Sequence, residues 1–361
     1  MKQKLNHICF VGGQSGGHLI PCFTLAKKIT QKNPNYLITL ISTNTSLEKQ
    51  LVQKTKYIKK HLALSLCKVP RRKIVKLPIF LFQLFTSFSL SLWHLIKNRP
   101  EKIISTGSYI AIPVCIAAKL LNIPIELYEL NVEPGKAISF LAPIANKINI
   151  CFKESQRKIK KTCTPSLYPV RFTTKDLKIK KNDAIDKLGI QHNLKTILVL
   201  GGSQGSKFID ETIHKIFLLS NTLKNNAQVI HQTGSEVDYC KKFYEKNDIQ
   251  SVVFDHHKSL ELCYRAADLI ICRAGAGTLF ETVFFKKTCI TIPLQTGTTS
   301  HQKDNAISIA KQYKFVHVLD QQKITKNPKI ITNKVHKLLK LNNLQKIYLP
   351  PKIIEQSIIQ S

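Results

Sequence analysis

Apolar residues in this chain gather into short runs rich in isoleucine and valine, and the runs do not alternate with polar positions. HICFV (7–11), YLITLIS (36–42), KIISTG (102–107), IPIELYEL (123–130) and KINICF (147–152) form a first series. Such runs suit parallel strands buried on both faces, with the stretches between them crossing over as helices. A polar, lysine-rich connection over 153–190 interrupts the rhythm. It restarts with TILVLGGSQGSKFIDETIHKIF (196–217), AQVIHQTG (227–234), VVFD (252–255), DLIICRAGAGTLFETVFF (268–285) and CITIPL (289–294). Strands alternating with helices imply right-handed βαβ units. The pattern predicts an α/β protein of two Rossmann-like domains facing a cleft, 1–165 and 166–340, followed by a tail over 341–361. Ligands bind at the carboxyl ends of such sheets, so the glycine turns after the first strand of each half are expected to face that cleft. The first helix is expected to begin near Pro21, since proline is tolerated in a first turn.

One apolar stretch breaks the pattern. Residues 77–96, LPIFLFQLFTSFSLSLWHLI, carry no formal charge and are long enough to span a bilayer. They also contain Gln83, Thr86 and His94, and begin at Leu77-Pro78. Arg71, Arg72, Lys73 and Lys76 precede them, and Lys97 and Arg99 follow. A helix lying in the interface, with bases near anionic headgroups, fits this better than a span; an ordinary buried helix is the third reading.

Composition changes the picture in two places. The chain has 55 Lys+Arg against 22 Asp+Glu, a net charge of +33, which points to an anionic partner. Only seven of those bases are arginine, and the lysines are scattered among Asn and Ile, so compositional drift accounts for most of the excess. No basic stripe interleaved with aromatics is found, so no specific nucleic-acid partner is expected. The ten cysteines form neither CxxC nor Cys/His metal spacings, and Cys9, Cys151, Cys272 and Cys289 lie inside apolar runs. That usage fits a reducing cytoplasm, and the N-terminal MKQKLNHICF reaches glycines too soon for a signal peptide.

The candidate chemistry lies in four loops. The first, VGGQSGGHLIP, has glycines at 12, 13, 16 and 17, the wrong spacing for a dinucleotide fingerprint, and lacks the Lys-Ser/Thr of a P-loop. It reads as a strand-to-helix turn whose amides form an anion site, with His18 either structural or a base. GGSQGS (201–206) repeats the device and adds Ser203 and Gln204. RAGAGTLFE (273–281) is a third turn; its Glu281 either complements a helix dipole or holds a ribose diol. In PLQTGTTSHQKDNA (293–306), Gln302 and Asn305 either bind sugar hydroxyls or make a polar helix start. No DxD pair exists, so a metal-bridged diphosphate is not expected and no metal or cofactor is assigned.

Taken together, GGxxGGHxxP, LVxGGSQG, CRxGAxTxxE and PxQ…HQxxNA, in that order across about residues 7–312, resemble the MurG family of UDP-N-acetylglucosamine (UDP-GlcNAc) transferases. The resemblance implies a GT-B fold and inverting, metal-independent transfer of GlcNAc to undecaprenyl-linked muramyl-pentapeptide (lipid I) in peptidoglycan synthesis. The enzyme would sit peripherally on the cytoplasmic face of the plasma membrane, through the anionic-surface patch at 71–99. It implies that Gly13, Gly16, Gly17 and His18 meet the acceptor diphosphate, with His18 the base for the acceptor 4-hydroxyl. Ser15, Gly16 and Gly17 would also lie near the donor, and Asn131, in YELN, would contact its GlcNAc. Arg171, Ser203 and Gln204 would meet the donor phosphates. Ala276, Gly277, Thr278, Leu279, Phe280 and Glu281 would wrap the nucleotide, with Glu281 on the ribose. Gln302 would hold the sugar, and a backbone contact to uracil would fall near His257. The chain departs from the family pattern on the acceptor side: Tyr128 replaces a histidine, GSY (107–109) replaces GGY, and the asparagine-basic pair beyond Gly135 is missing. Transfer to another lipid acceptor, or a non-catalytic membrane- or nucleic-acid-binding relic of the fold, are the competing readings.

Overall fold

The computed structural model describes residues 6–341 except 14, 54, 68–69, 71–74, 76, 203 and 295–300. The chain divides into two compact units, Met1–Arg171 and Phe172–Ser361.

The first unit is built on a parallel sheet of β1 (His7–Val11), β2 (Leu37–Thr43), β3 (Lys60–Leu64), β4 (Lys102–Ser105), β5 (Ile125–Glu129), β6 (Lys147–Ile150) and β7 (Thr164–Pro165). The spatial order is β3-β2-β1-β4-β5-β6-β7, so the direction of winding reverses beside β1. Phe10 faces Leu40 of β2 and Ile104 of β4 in register. All five β1 residues are buried, as the unbroken apolar run requires. β3 escapes the sequence pattern because only Leu64 of its five residues is buried. β7 has two residues, too few to leave a pattern.

The first helix runs Gly16–Lys32 and places Pro21 in its second turn, earlier than the Pro21 start expected from sequence. The ring removes one donor to the Gly17 carbonyl, and Gly17 is exposed, so water meets that carbonyl cheaply. The shift puts His18 inside the first helical turn.

Helix Leu77–Asn98 packs on helix Ala111–Leu120. Its inward face is unusual: Ser87, Ser91, His94 and Leu95 are buried, while Ile79, Phe82, Phe85, Trp93 and Ile96 are exposed. The Ser91 hydroxyl donates to the Ser87 carbonyl at 2.6 Å, which satisfies it without any partner across the interface. Phe80, Leu84, Phe88 and Leu92 lie half-buried against the core. The helix is long and apolar enough to cross a membrane, yet one face is committed to the protein.

The second unit carries β8 (Lys195–Leu200), β9 (Ala227–Gln232), β10 (Ser251–Phe254), β11 (Leu269–Cys272), β12 (Cys289–Thr291) and β13 (Val316–Val318). Their parallel order, β10-β9-β8-β11-β12-β13, reverses beside β8 as the first sheet does beside β1. Phe172 anchors the start of this unit, its ring 5.6 Å from Tyr264 and 4.9 Å from Phe285.

Candidate active site

In the first unit the loops after β1, β4 and β5 converge, as expected at a reversal of strand order. Gly12 is needed for space: a Cβ there would meet Cys22 Sγ and Thr106 Oγ1, each at 3.0 Å. Ser15, in extended conformation, precedes the helix, and its carbonyl accepts from the amides of His18 and Leu19. His18 Nδ1 lies 2.8 Å from the Thr106 carbonyl, and the Thr106 hydroxyl donates to the His18 carbonyl at 2.9 Å. A carbonyl only accepts, so Nδ1 carries the proton and the neutral ring keeps its basic lone pair on Nε2. Gly107 follows at φ +96°, and a Cβ there would stand 3.3 Å from Ile138 and 3.6 Å from His18 Cε1. Gly13 is buried against Glu48, while Gly16 is buried and Gly17 exposed at the helix start.

β5 ends on Glu129, whose carboxylate binds the turn that carries Asn131. The Ser155 hydroxyl holds the Asn131 carbonyl at 2.7 Å. Arg171 is exposed at the end of the first unit.

In the second unit the turn after β8 holds Gly202 at φ +91° and Gly205 at φ +72°. A Cβ on Gly205 would overlap the Thr233 carbonyl, and one on Gly234 would lie 2.8 Å from Gly205 Cα. Two backbones therefore touch where β8 and β9 end. Ser203 lies outside the described residues, and Gln204 is exposed. Ser206 caps helix Lys207–Leu218. Arg273, just past β11, donates to Ser206 Oγ (2.9 Å), the Ile292 carbonyl (3.2 Å) and Gln321 Oε1 (2.7 Å). Burial pulls this guanidinium down to about 10, still charged at neutral pH.

Helix Ala276–Phe284 starts at Gly275, so the amides of Ala276, Gly277 and Thr278 fall in its unbonded first turn. Leu279 is buried and Phe280 half-buried. Glu281 is buried, and its Oε2 accepts from the Tyr264 hydroxyl at 2.9 Å. Gln302 Oε1 accepts from the Leu294 amide at 2.9 Å, tying the exit of β12 to the next helix. His257 follows β10, where its Nδ1 accepts from the Ser259 amide at 3.1 Å.

Sequence reasoning assigned no role to Thr106, Glu129 or Arg273, although the last two lie inside quoted motifs, and it missed a buried network in which His231 lies 3.1 Å from Asp210 Oδ1 and 2.8 Å from the Tyr244 hydroxyl. Cys240 completes a group of metal-ligand types within 4.8 Å. Asp210 and Tyr244 already occupy both ring nitrogens, so the cluster works as a hydrogen-bond network rather than an open coordination site.

Residues 8–150 match the glycosyltransferase family 28 N-terminal domain, and residues 196–348 match that family's C-terminal domain. A Protochlamydia amoebophila protein named UDP-N-acetylglucosamine--N-acetylmuramyl-(pentapeptide) pyrophosphoryl-undecaprenol N-acetylglucosamine transferase is 33% identical over 297 residues, covering 81% of this chain and 77% of its own. The chain belongs to the MurG family. A Halothermothrix orenii protein of the same name is 31% identical over 92% of this chain and 88% of its own. The crystal structure of Acinetobacter baumannii MurG superposes with a TM-score of 0.71 at 21% identity, over 94% of this chain and 92% of that one. A UDP-GlcNAc 2-epimerase from Neisseria meningitidis shares the fold at a TM-score of 0.59 and 14% identity, over 98% of this chain and all 100% of its own. Fold alone therefore does not separate these chemistries.

The structure gives physical content to two departures of this MurG-family chain. Tyr128, in place of a histidine, donates to Glu126 Oε1 at 3.3 Å, and burial with the nearby Glu126 charge pushes its phenol up. Ser108, in place of a glycine, adopts φ +72°. Its hydroxyl is buried without a hydrogen-bond partner among the described residues.

Proposed function

We propose that this chain transfers GlcNAc from UDP-GlcNAc to the 4-hydroxyl of undecaprenyl-diphospho-MurNAc-pentapeptide, with inversion and without a metal. The observation that carries the reading is the His18–Thr106 pair, which presents Nε2 as the basic nitrogen of a neutral imidazole. His18 takes the proton of the acceptor hydroxyl as its oxygen bonds to the anomeric carbon. The bond from that carbon to the diphosphate breaks on the opposite face, and UDP leaves. With no DxD pair in the sequence, the growing charge on UDP falls to Arg171 and to the helix-start amides after β8 and β11. Ser203 and Gln204 add polar groups to that set, Glu281 takes the ribose hydroxyls, Gln302 and Asn131 the sugar, and the backbone near His257 the uracil. Gly13, Gly16 and Gly17 leave room for the acceptor diphosphate.

The exposed apolar face of helix Leu77–Asn98 supports attachment to the cytoplasmic face of the plasma membrane. Because its inner face is docked, this helix lies in the headgroup boundary instead of crossing it. Lys97, 5.1 Å from the Trp93 ring, and Arg99 sit at one end. The bases Arg71, Arg72, Lys73 and Lys76 fall outside the described residues.

Incorporation of labelled GlcNAc into lipid I tests the reading. Transfer should proceed in EDTA, give the inverted anomer, and be lost in His18→Ala and Glu281→Ala. Absence of transfer by the wild type across a panel of lipid acceptors would refute it, and activity confined to another acceptor would redirect it.

A further inference from the structure

Glu129 is the last residue of β5 and is 2% exposed, yet both of its oxygens are spent on one turn. Oε1 accepts from the Asn131 backbone amide at 2.8 Å and from Asn131 Nδ2 at 3.4 Å. Oε2 accepts from the Gly135 amide at 2.8 Å. One carboxylate thus fixes both ends of the segment 131–135. Gly135 in turn begins helix Lys136–Leu141, and a Cβ on Gly107 would meet both Ile138 of that helix (3.3 Å) and His18 Cε1 (3.6 Å).

A glutamate is an expensive way to shape a turn. Burial pushes its carboxyl up to about 7 despite the hydrogen bonds donated by Gly135, Asn131 and Leu130. Glutamine would fill the same volume without a charge to desolvate, but it offers one acceptor oxygen where this turn uses two. The geometry is the reason for the acid: two acceptors, set apart by the carboxylate bite, reach two amides four residues apart.

We infer that Glu129 is a positioning residue for transfer, holding Asn131 and the start of the following helix in the arrangement that the sugar and His18 need. The inference rests on the transferase reading above, with Asn131 at the donor GlcNAc. It differs from a stability role in that the charge buys orientation.

Hydrogen exchange and steady-state kinetics on Glu129→Gln, Asn131→Ala and the double variant test it, with thermal melts alongside. In Glu129→Gln the amides of 131 and 135 should exchange at least ten-fold faster while the melting temperature at pH 8 does not fall. The KM for UDP-GlcNAc should rise several-fold more than kcat drops. The double variant should be no worse than the poorer single variant, because both changes disable one arrangement. Unchanged exchange in Glu129→Gln overturns the clamp. Faster exchange with wild-type kinetics, or fully additive losses, overturns its part in transfer. Failure of the transferase reading is told apart because it appears as inactivity of the wild type, while the exchange result still decides whether the clamp exists.

Discussion

His18 and Thr106 hold each other twice: the imidazole Nδ1–H donates to the Thr106 carbonyl at 2.8 Å, and the Thr106 hydroxyl donates to the His18 carbonyl at 2.9 Å. The first bond sets the tautomer, and the second fixes the helical turn on which the ring stands. Thr106→Val keeps the carbonyl and removes the second, together with the 3.3 Å contact between the hydroxyl and Cys22 Sγ. It should lower kcat about three- to ten-fold and stability by about 1 kcal/mol. His18→Ala should cost about 10²–10⁴ in kcat with donor affinity nearly unchanged. Single-turnover transfer with isothermal titration of UDP-GlcNAc separates the two; a Thr106→Val variant as slow as His18→Ala would mean that the ring had lost its place altogether.

Ser108 combines a left-handed backbone with a buried hydroxyl that has no partner among the described residues. Each is a cost that glycine lacks, the first worth about 1 kcal/mol and the second of similar size. Ser108→Gly should therefore stabilise the protein and raise the melting temperature by about 2–6 °C in calorimetry. A lower melting temperature would show that the serine earns its place through a contact made in the folded protein.

Glu129 makes stability and activity respond to pH in opposite directions. Its folded value, raised by burial to about 7 from an ordinary 4.5, means the folded chain holds this proton more tightly than the unfolded chain. The contribution is full below about 4.5 and is lost as pH rises through 7. Relative to Glu129→Gln, the wild type should gain about 2–3 kcal/mol on going from pH 8 to pH 5. The clamp needs the carboxylate, so wild-type transfer should fall below pH 7. The difference between the wild-type and Glu129→Gln profiles isolates Glu129. Parallel profiles in both rate and stability would refute the assignment.

Replacing Phe82, Phe85 and Trp93 together with serine should leave the melt nearly unchanged, since all three are exposed. Each large apolar side chain gains about 1.5–3 kcal/mol on burial. Partitioning onto vesicles containing anionic phospholipid should fall at least 100-fold, as read by co-sedimentation. Wild-type-like partitioning would place the membrane contact elsewhere.

The sequence pattern located the strands that are apolar throughout, because burial on both faces leaves an unbroken run such as HICFV. It missed β3, β7 and β13, which are short or half-exposed edges and bury too few side chains to leave that mark. Candidate residues beside glycines were legible for a related reason: close approach and left-handed turns demand glycine, so GGQSGGH and GGSQGS announce themselves. Thr106, Glu129 and Arg273 were not, because what they do depends on partners brought close only by the fold. Thr106 meets His18 across 88 positions, and Arg273 reaches Gln321 across 48. The helix Leu77–Asn98 was half legible: its composition gave the apolar length, but not that Ser87 and Ser91 would be buried while Phe82, Phe85 and Trp93 turned outward.

The contact between Gly205 and Gly234 limits how this chain can vary. Alanine at either position collides with backbone, and asparagine, which tolerates the dihedral angles, lacks the room. Neither site can change alone, and changing both doubles the collision. The turn after β8 is therefore closed to any side chain at these two positions. A mutational library that samples the turn after β8 should leave both glycines alone and spend its diversity on the positions around them.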